Sequence, residues 1–335
     1  MKIENFDLDK DILTIAEIGN NHEGSYVLAE EMIGLAANAG AGAVKFQTII
    51  PDKLVSINKK DRIQQLERFR LSYNDFERLS KVARMEGVLF LSTPFDLKSA
   101  RFLADLVPAF KIASGDNNFF PLIDVIARTG KPIILSAGMT DLDQIRTVKD
   151  YIYRIWDEER NGSDLALLHC VVDYPTSPAA ANLLFIKELQ RLNVTVGYSD
   201  HTIGVEAAVL SVALGARIIE KHFTISKKYS TFRDHQLSAD AQDFAEMVQK
   251  IKQTQKFLGD GVKSPLECEK AININVRRSI VANRDLRAGS TIKWEDLNWV
   301  RPGDGLEPGR ERELIGKKLI REIPVGNMIN LSDIN

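Results

Sequence analysis

The chain has 335 residues, a net charge of −2, 44% apolar and 27% charged residues, the composition of a soluble globular protein. It has no long basic block to support nucleic-acid binding and no apolar run near the roughly 20 residues that span a bilayer. Met1–Asp11 lacks the apolar core of a signal peptide, and Cys170 and Cys268 are too few for a disulfide framework, so a reducing cytoplasm is expected.

In chain order, eight short apolar runs follow one another: Leu13–Glu17, Ala43–Gln47, Val88–Thr93, Ala109–Lys111, Pro132–Ser136, Leu165–Cys170, Val194–Tyr198 and Arg217–His222. Nearly every one ends in a polar or charged residue. Helix-like stretches accompany them, such as Tyr26–Ala39, Asn74–Glu86, Leu142–Trp156 and Ala239–Leu258. Ser25 and Ser238 are the expected N-caps of the first and last. This alternation predicts a (β/α)8 TIM barrel over 1–258. The carboxyl ends of barrel strands share one face, where substrates bind. Glu17, Lys45, Gln47, Thr93, Lys111, Ser136, His201 and His222 are therefore expected around one pocket.

The pattern stops after Leu258. Gly259-Asp-Gly261 and Ser264-Pro265 mark a linker over 259–275. Short strand candidates follow at Ser279–Ala282, Trp299–Arg301 and Leu319–Glu322, separated by Gly- and Pro-containing turns. Residues 276–335 thus read as a second, small, mostly-β domain.

Lys45 and Gln47 are two apart on one strand and share a side of it. Two lysines, Lys45 and Lys111, at the mouth of an apolar barrel are costly unless an anion pairs with them. The hydroxyls of Thr93, Ser114 and Ser136 sit at nearby strand ends. Together they suit a small, multiply charged ligand, most simply a phosphate ester. The plain alternative is that each lysine reaches solvent or pairs with Glu17. His201 and His222 follow the seventh and eighth strands, which are neighbours in a barrel, and can ligate one ion. A nitrogen and oxygen shell without thiolate favours Mn2+, Mg2+ or another first-row divalent ion over structural zinc. Glu17 suits a general acid or base, or a lysine's counter-ion; spacing does not separate these. His169 reads as a core residue, and His22 and His235 stay unassigned.

The segments Ile15-Ala-Glu-Ile-Gly-Asn-Asn-His-Glu-Gly24, Lys45-Phe-Gln47, Ser92-Thr-Pro-Phe95, Lys111-Ile-Ala-Ser-Gly115, Ile134-Leu-Ser-Ala-Gly-Met139, Ser199-Asp-His201, Glu220-Lys-His-Phe-Thr224 and Asp234-His235 resemble the sialic acid synthase family. The tail, with Arg277-Arg-Ser279, Arg301-Pro-Gly-Asp-Gly305 and Ile315-Gly-Lys-Lys318, resembles the antifreeze-like (SAF) domain of these enzymes. The resemblance implies condensation of phosphoenolpyruvate with an N-acylated amino-sugar aldehyde, giving a nine-carbon 2-keto-3-deoxy acid and phosphate. It implies that Lys45, Gln47, Thr93, Lys111, Ser114 and Ser136 hold phosphoenolpyruvate and that His201 and His222 hold the divalent metal. Glu17 then handles a proton or orients water, and Asp116, Tyr174 and Asp234 lie at the sugar. A domain-swapped homodimer is also implied, with Arg301 of one subunit entering the barrel of the other. Asp116 departs from the family's usual Glu, and Val172 from its usual Asn or Ser, which bears on the choice of sugar.

Two rivals remain at this level. One is another phosphoenolpyruvate- or metal-dependent barrel synthase or aldolase acting on a different aldose; synthases of aldose phosphates need a second phosphate site, and no spare cationic cluster stands out in the sequence. The other is a non-catalytic carbohydrate-binding protein.

Overall fold

Eight parallel strands form the centre of the computed structural model, which describes residues 1–335 apart from the side chain of residue 271. They are β1 (Leu13–Gly19), β2 (Ala43–Thr48), β3 (Leu89–Pro94), β4 (Phe110–Ile112), β5 (Ile133–Ser136), β6 (Leu165–Cys170), β7 (Thr195–Asp200) and β8 (Ile218–His222). The ladder runs β3-β2-β1-β8-β7-β6-β5-β4. β3 and β4 lie side by side and complete the ring without ladder hydrogen bonds. This is the expected TIM barrel.

Period-two alternation divides each strand between two apolar cores. Leu13, Ile15, Ala43, Leu89, Leu91, Ala109, Ile134, Ala166, Leu168 and Ile218 fill the barrel interior. Their neighbours, such as Ala16, Val44, Phe90 and Ile219, pack outward against the helices. An antiparallel hairpin, Lys2–Ile3 with Phe6–Asp7, precedes the barrel, and Ile3 and Leu8 belong to the interior cluster.

Ser25 caps the helix Tyr26–Asn38 and accepts from the Leu28 amide at 3.2 Å. The last barrel helix differs from expectation. It runs Ala241–Leu258 and is capped by Asp240, which accepts from the amides of Gln242 and Asp243. Ser238 is unavailable as a cap. Its hydroxyl donates to the Asp234 carbonyl at 2.5 Å and accepts from Asn21, while the next amide, of Ala239, bonds the His222 carbonyl.

Residues 260–335 form a separate compact unit. The segment read as linker contains a helix, Glu267–Val276. Ser279–Ala282 pairs antiparallel with Leu297–Val300. The second strand begins two residues earlier than the sequence suggests and ends one earlier, because Leu297 supplies the buried anchor. Leu319–Glu322 forms no ladder; Leu319 makes a single bridge to Ile334. The core contains Ile280, Leu286, Ile292, Leu297, Leu314, Ile323 and Ile329. Among the described residues, no helix is long and apolar enough to cross a membrane.

Candidate active site

The mouth of the barrel is polar by continuation of the same alternation. On seven strands the residue two beyond an interior apolar side chain is polar: Glu17, Lys45, Thr93, Lys111, Ser136, Cys170 and Glu220. Ser199 on β7 follows Gly197 by the same step. A cavity of about 310 Å³ opens above this layer, at the small end for a ligand site.

Four charges form its floor. Lys45 Nζ lies 2.8 Å from Glu17 Oε2 and 3.6 Å from Glu220 Oε2, and donates to Thr93 Oγ1 at 3.3 Å. Lys111 Nζ donates to Ser136 Oγ at 2.7 Å and lies 3.8 Å from Glu220 Oε1. Ser199 Oγ donates to Glu220 Oε1 at 3.0 Å. Burial alone would raise the pKa of Glu220, but the charges of Lys111 and Lys45 outweigh it and hold the carboxyl well below its usual range. For Glu17 burial wins over Lys45, with Glu220 adding to it, so its pKa rises. Burial lowers the pKa of Lys111 despite Glu220. Two acids and two lysines thus offset one another before any ligand arrives.

Gln47 donates to Glu17 Oε1 at 2.9 Å and accepts from Asn20 at 3.0 Å, fixing the Glu17 carboxylate. Ser114 accepts from the Gly138 amide at 3.1 Å. A Cβ at Gly138 would stand 2.6 Å from that hydroxyl, so a side chain there would push Ser114 aside.

His201 and His222 meet at the rim with ring centres 5.4 Å apart. His201 Nδ1 lies 2.7 Å from the Val171 carbonyl, an arrangement that places the proton on Nδ1 and leaves the Nε2 lone pair free. Burial, then the neighbouring His222, lowers the pKa of His201 to about 4; burial lowers that of His222 as well. Both are thus neutral, as metal ligands must be. Burial pushes the Cys170 thiol up. Among the described residues, no group of three or more His, Cys, Asp or Glu is placed to hold an ion. The two imidazoles are thus a nitrogen pair whose chemistry suits a divalent ion only if oxygen from water or substrate fills its other positions.

Most of the expected site residues line this one cavity: Glu17, Lys45, Gln47, Lys111, Ser114, Ser136, Tyr174, His201, His222 and Asp234. Thr93 is buried behind Lys45 and does not line it. Asp116 also stands outside the lining, half-buried, with Oδ2 lacking a partner, and burial raises its pKa to about 6. Arg301 is exposed on the second unit, where Ser279 Oγ anchors the following loop by donating to the Pro302 carbonyl and accepting from the Gly305 amide. Val172 lines the cavity.

Several residues escape the sequence reading. Glu220 is the most central, and the spacing that pairs Lys45 with Gln47 also pairs Glu220 with His222. Arg62 and Phe69, on the helix Lys60–Phe69 that follows β2, and Arg233, at the start of the short helix after β8, lie off the strands, where counting in twos does not reach them. The two arginines give the mouth cations that are invisible as a cluster in the sequence. Arg233 lies over the Tyr174 ring at 4.9 Å.

His22 is also buried, with Nδ1 accepting from the Gly24 amide at 3.0 Å. Burial lowers its pKa from 6.5 to about 4. The folded state therefore binds fewer protons than the unfolded one between these values. Its contribution is fully present above pH 6.5 and is lost as pH falls toward 4, by about 3 kcal/mol at most. Urea midpoints measured from pH 7 to 4 are expected to fall, and His22→Gln is expected to flatten the slope. An unchanged slope in His22→Gln would refute this.

The fold is a barrel whose mouth gathers strand-end charges and a histidine pair. Residues 32–263 match the NeuB family and residues 277–335 match the SAF domain. Pseudaminic acid synthase of Campylobacter jejuni is 37% identical, with 99% of each chain covered. N,N'-diacetyllegionaminic acid synthase of Legionella pneumophila is 37% identical over 94% of this chain and 92% of its own. The crystal structure of N-acetylneuraminic acid (sialic acid) synthetase from Leptospira borgpetersenii gives a TM-score of 0.76 at 32% identity, covering 81% of this chain and 94% of that one. The chain belongs to the NeuB family.

Proposed function

We propose that the chain is a nonulosonic acid synthase, a transferase that joins phosphoenolpyruvate to an N-acylated amino-sugar aldehyde of the ManNAc type. The observation that carries this reading is the Glu17–Lys45–Glu220–Lys111 floor beneath the histidine pair. The names of the relatives support it.

Lys45, Lys111, Ser114 and Ser136 bind the phosphate and carboxylate of phosphoenolpyruvate with charge-assisted hydrogen bonds. Thr93 acts by orienting Lys45. His201 and His222 would hold Mn2+ or Mg2+, which supplies Lewis-acid polarisation of an aldehyde oxygen. C3 of phosphoenolpyruvate bonds to the aldehyde carbon, whose oxygen takes a proton and becomes a hydroxyl. Water adds at C2, and phosphate leaves with cleavage of its C–O bond, giving the 2-keto acid. Glu17, a stronger base than an ordinary carboxylate, is placed by Gln47 and Lys45 to take the proton of that water. Tyr174 and Asp234 face the acceptor. Phosphate release that requires both phosphoenolpyruvate and an N-acyl hexosamine tests the reading; no release with any amino sugar would overturn it.

Arg62 and Arg233 favour a second reading for the acceptor, one that carries a phosphate of its own. Matched phosphorylated and unphosphorylated sugars separate the two.

Asp116 and Val172 are proposed to act on acceptor choice and not on phosphoenolpyruvate. Asp116→Glu and Val172→Asn, singly and together, are expected to change the ranking of acceptors by kcat/KM. A fixed ranking would remove both from specificity. Arg301 is proposed to act at the acceptor within a homodimer. Light scattering that shows a monomer would exclude that arrangement.

A further inference from the structure

The segment after β8 carries Phe232, Arg233 and Asp234 to the cavity, yet it contains only one short helix, Arg233–Leu237. Its position is fixed instead by the loop after β1. Asn21 Nδ2 holds both ends, donating to the Phe223 carbonyl at 2.8 Å and to Ser238 Oγ at 3.0 Å. Glu23 holds the middle. Its Oε1 lies 3.1 Å from His235 Nε2 and also accepts from the Ser230 hydroxyl. The other nitrogen of His235 stands 2.6 Å from Thr224 Oγ1, so the imidazole ties the start of the segment to Glu23. His235 is fully buried, and removal of either partner would strand a polar group without water.

A second contact locks this loop to the helix Lys60–Phe69 in the connection after β2. A Cβ on Gly24, which has φ of +84°, would stand only 2.1 Å from the Arg68 carbonyl oxygen. Phe69 then packs edge-on against Phe232 at 4.9 Å. Three connections from separate strands are thereby held together over one side of the cavity. No part of the proposed chemistry uses Glu23, His235 or Thr224.

We propose that Glu23 and His235 are positioning residues that clasp the loop after β8 and so set Asp234, and through it acceptor binding. The kinetic part of this inference rests on the proposed synthase function; the structural part does not. The clasp shares no hydrogen bond with Lys45, Lys111, Ser114 or Ser136 and reaches the cavity only through Phe232, Arg233 and Asp234 of the segment it holds. Its loss is therefore felt by the acceptor and not by phosphoenolpyruvate.

The test compares Glu23→Ala, His235→Asn and Glu23→Gln with the wild-type full chain. Gln keeps an oxygen that accepts from His235 and Ser230. Glu23→Ala and His235→Asn are expected to speed hydrogen–deuterium exchange roughly tenfold in residues 225–237 alone, the loss of about one buried hydrogen bond. They are also expected to raise KM for the acceptor roughly tenfold, with KM for phosphoenolpyruvate unchanged. Glu23→Gln is expected to restore both. Unchanged exchange in 225–237, or a parallel rise in both KM values, would overturn the clasp. If Glu23→Ala instead loosens the whole barrel, the milder Ser230→Ala carries the same segment-limited expectation, and its failure counts equally against the proposal. If the wild type turns over no acceptor, the synthase reading fails, and the exchange data alone decide whether the clasp exists.

Discussion

Replacing Lys111 with methionine is expected to lower kcat/KM for phosphoenolpyruvate by roughly tenfold to a hundredfold, the worth of one charge-assisted contact of about 1.5–3 kcal/mol. Lys111 is buried, donates to Ser136 and faces Glu220 at 3.8 Å. The same variant is expected to lose stability, because Glu220 then keeps only Lys45, at 3.6 Å, as a cationic neighbour. Breaking a buried pair costs about 3–5 kcal/mol when one partner goes, and the remaining lysine places this case at or below the low end. Adding Glu220→Gln removes the stranded charge. The double variant is therefore expected to regain melting temperature without regaining activity. Full activity in Lys111→Met contradicts the anion site. A double variant no more stable than the single one contradicts the charge balance of the floor.

The histidine pair carries the other large effect. His222→Asn is expected to abolish binding of Mn2+ in calorimetry and to cut turnover by roughly a thousandfold, equivalent to about 4 kcal/mol of transition-state stabilisation. EDTA is expected to abolish wild-type turnover, and added Mn2+ or Mg2+ to restore it. The thermal melt of the metal-free protein serves as the control, since a folding defect lowers it and a missing ligand does not. Full turnover in chelated protein, or undiminished Mn2+ binding by His222→Asn, contradicts the assignment.

The barrel was legible because its strands carry two independent signals, apolar content and a polar residue where each strand reaches the mouth. Boundaries fail where one signal is lost. β7 runs to Asp200, past the apolar residues, because Ser199 and Asp200 pair in register with Glu220 and Lys221 of β8. Asp200 tolerates burial there through Lys221, whose Nζ lies 2.7 Å from Oδ2. No local reading of Val194–Tyr198 contains that partner. Ser238 shows the same limit: its side chain is a good cap, but a tertiary bond to Asn21 claims it first. Residues on strands could be placed around the cavity by counting in twos. Arg62 and Phe69 sit on the helix Lys60–Phe69 and Arg233 opens the helix Arg233–Leu237, in connections where no strand register places them, and only the packing of one connection on another brings them together. Glu220 belongs to the first group and was readable by the spacing that links it to His222.

Isotope tracing tests the central claim most directly. Phosphoenolpyruvate labelled with 18O at the oxygen joining C2 to phosphorus, incubated with the full chain, Mn2+ and an N-acyl hexosamine, is read by mass spectrometry of both products. The account predicts a nine-carbon keto acid without label and phosphate that carries all of it. Label in the keto acid, or phosphate formed without a new carbon–carbon bond, would contradict the account.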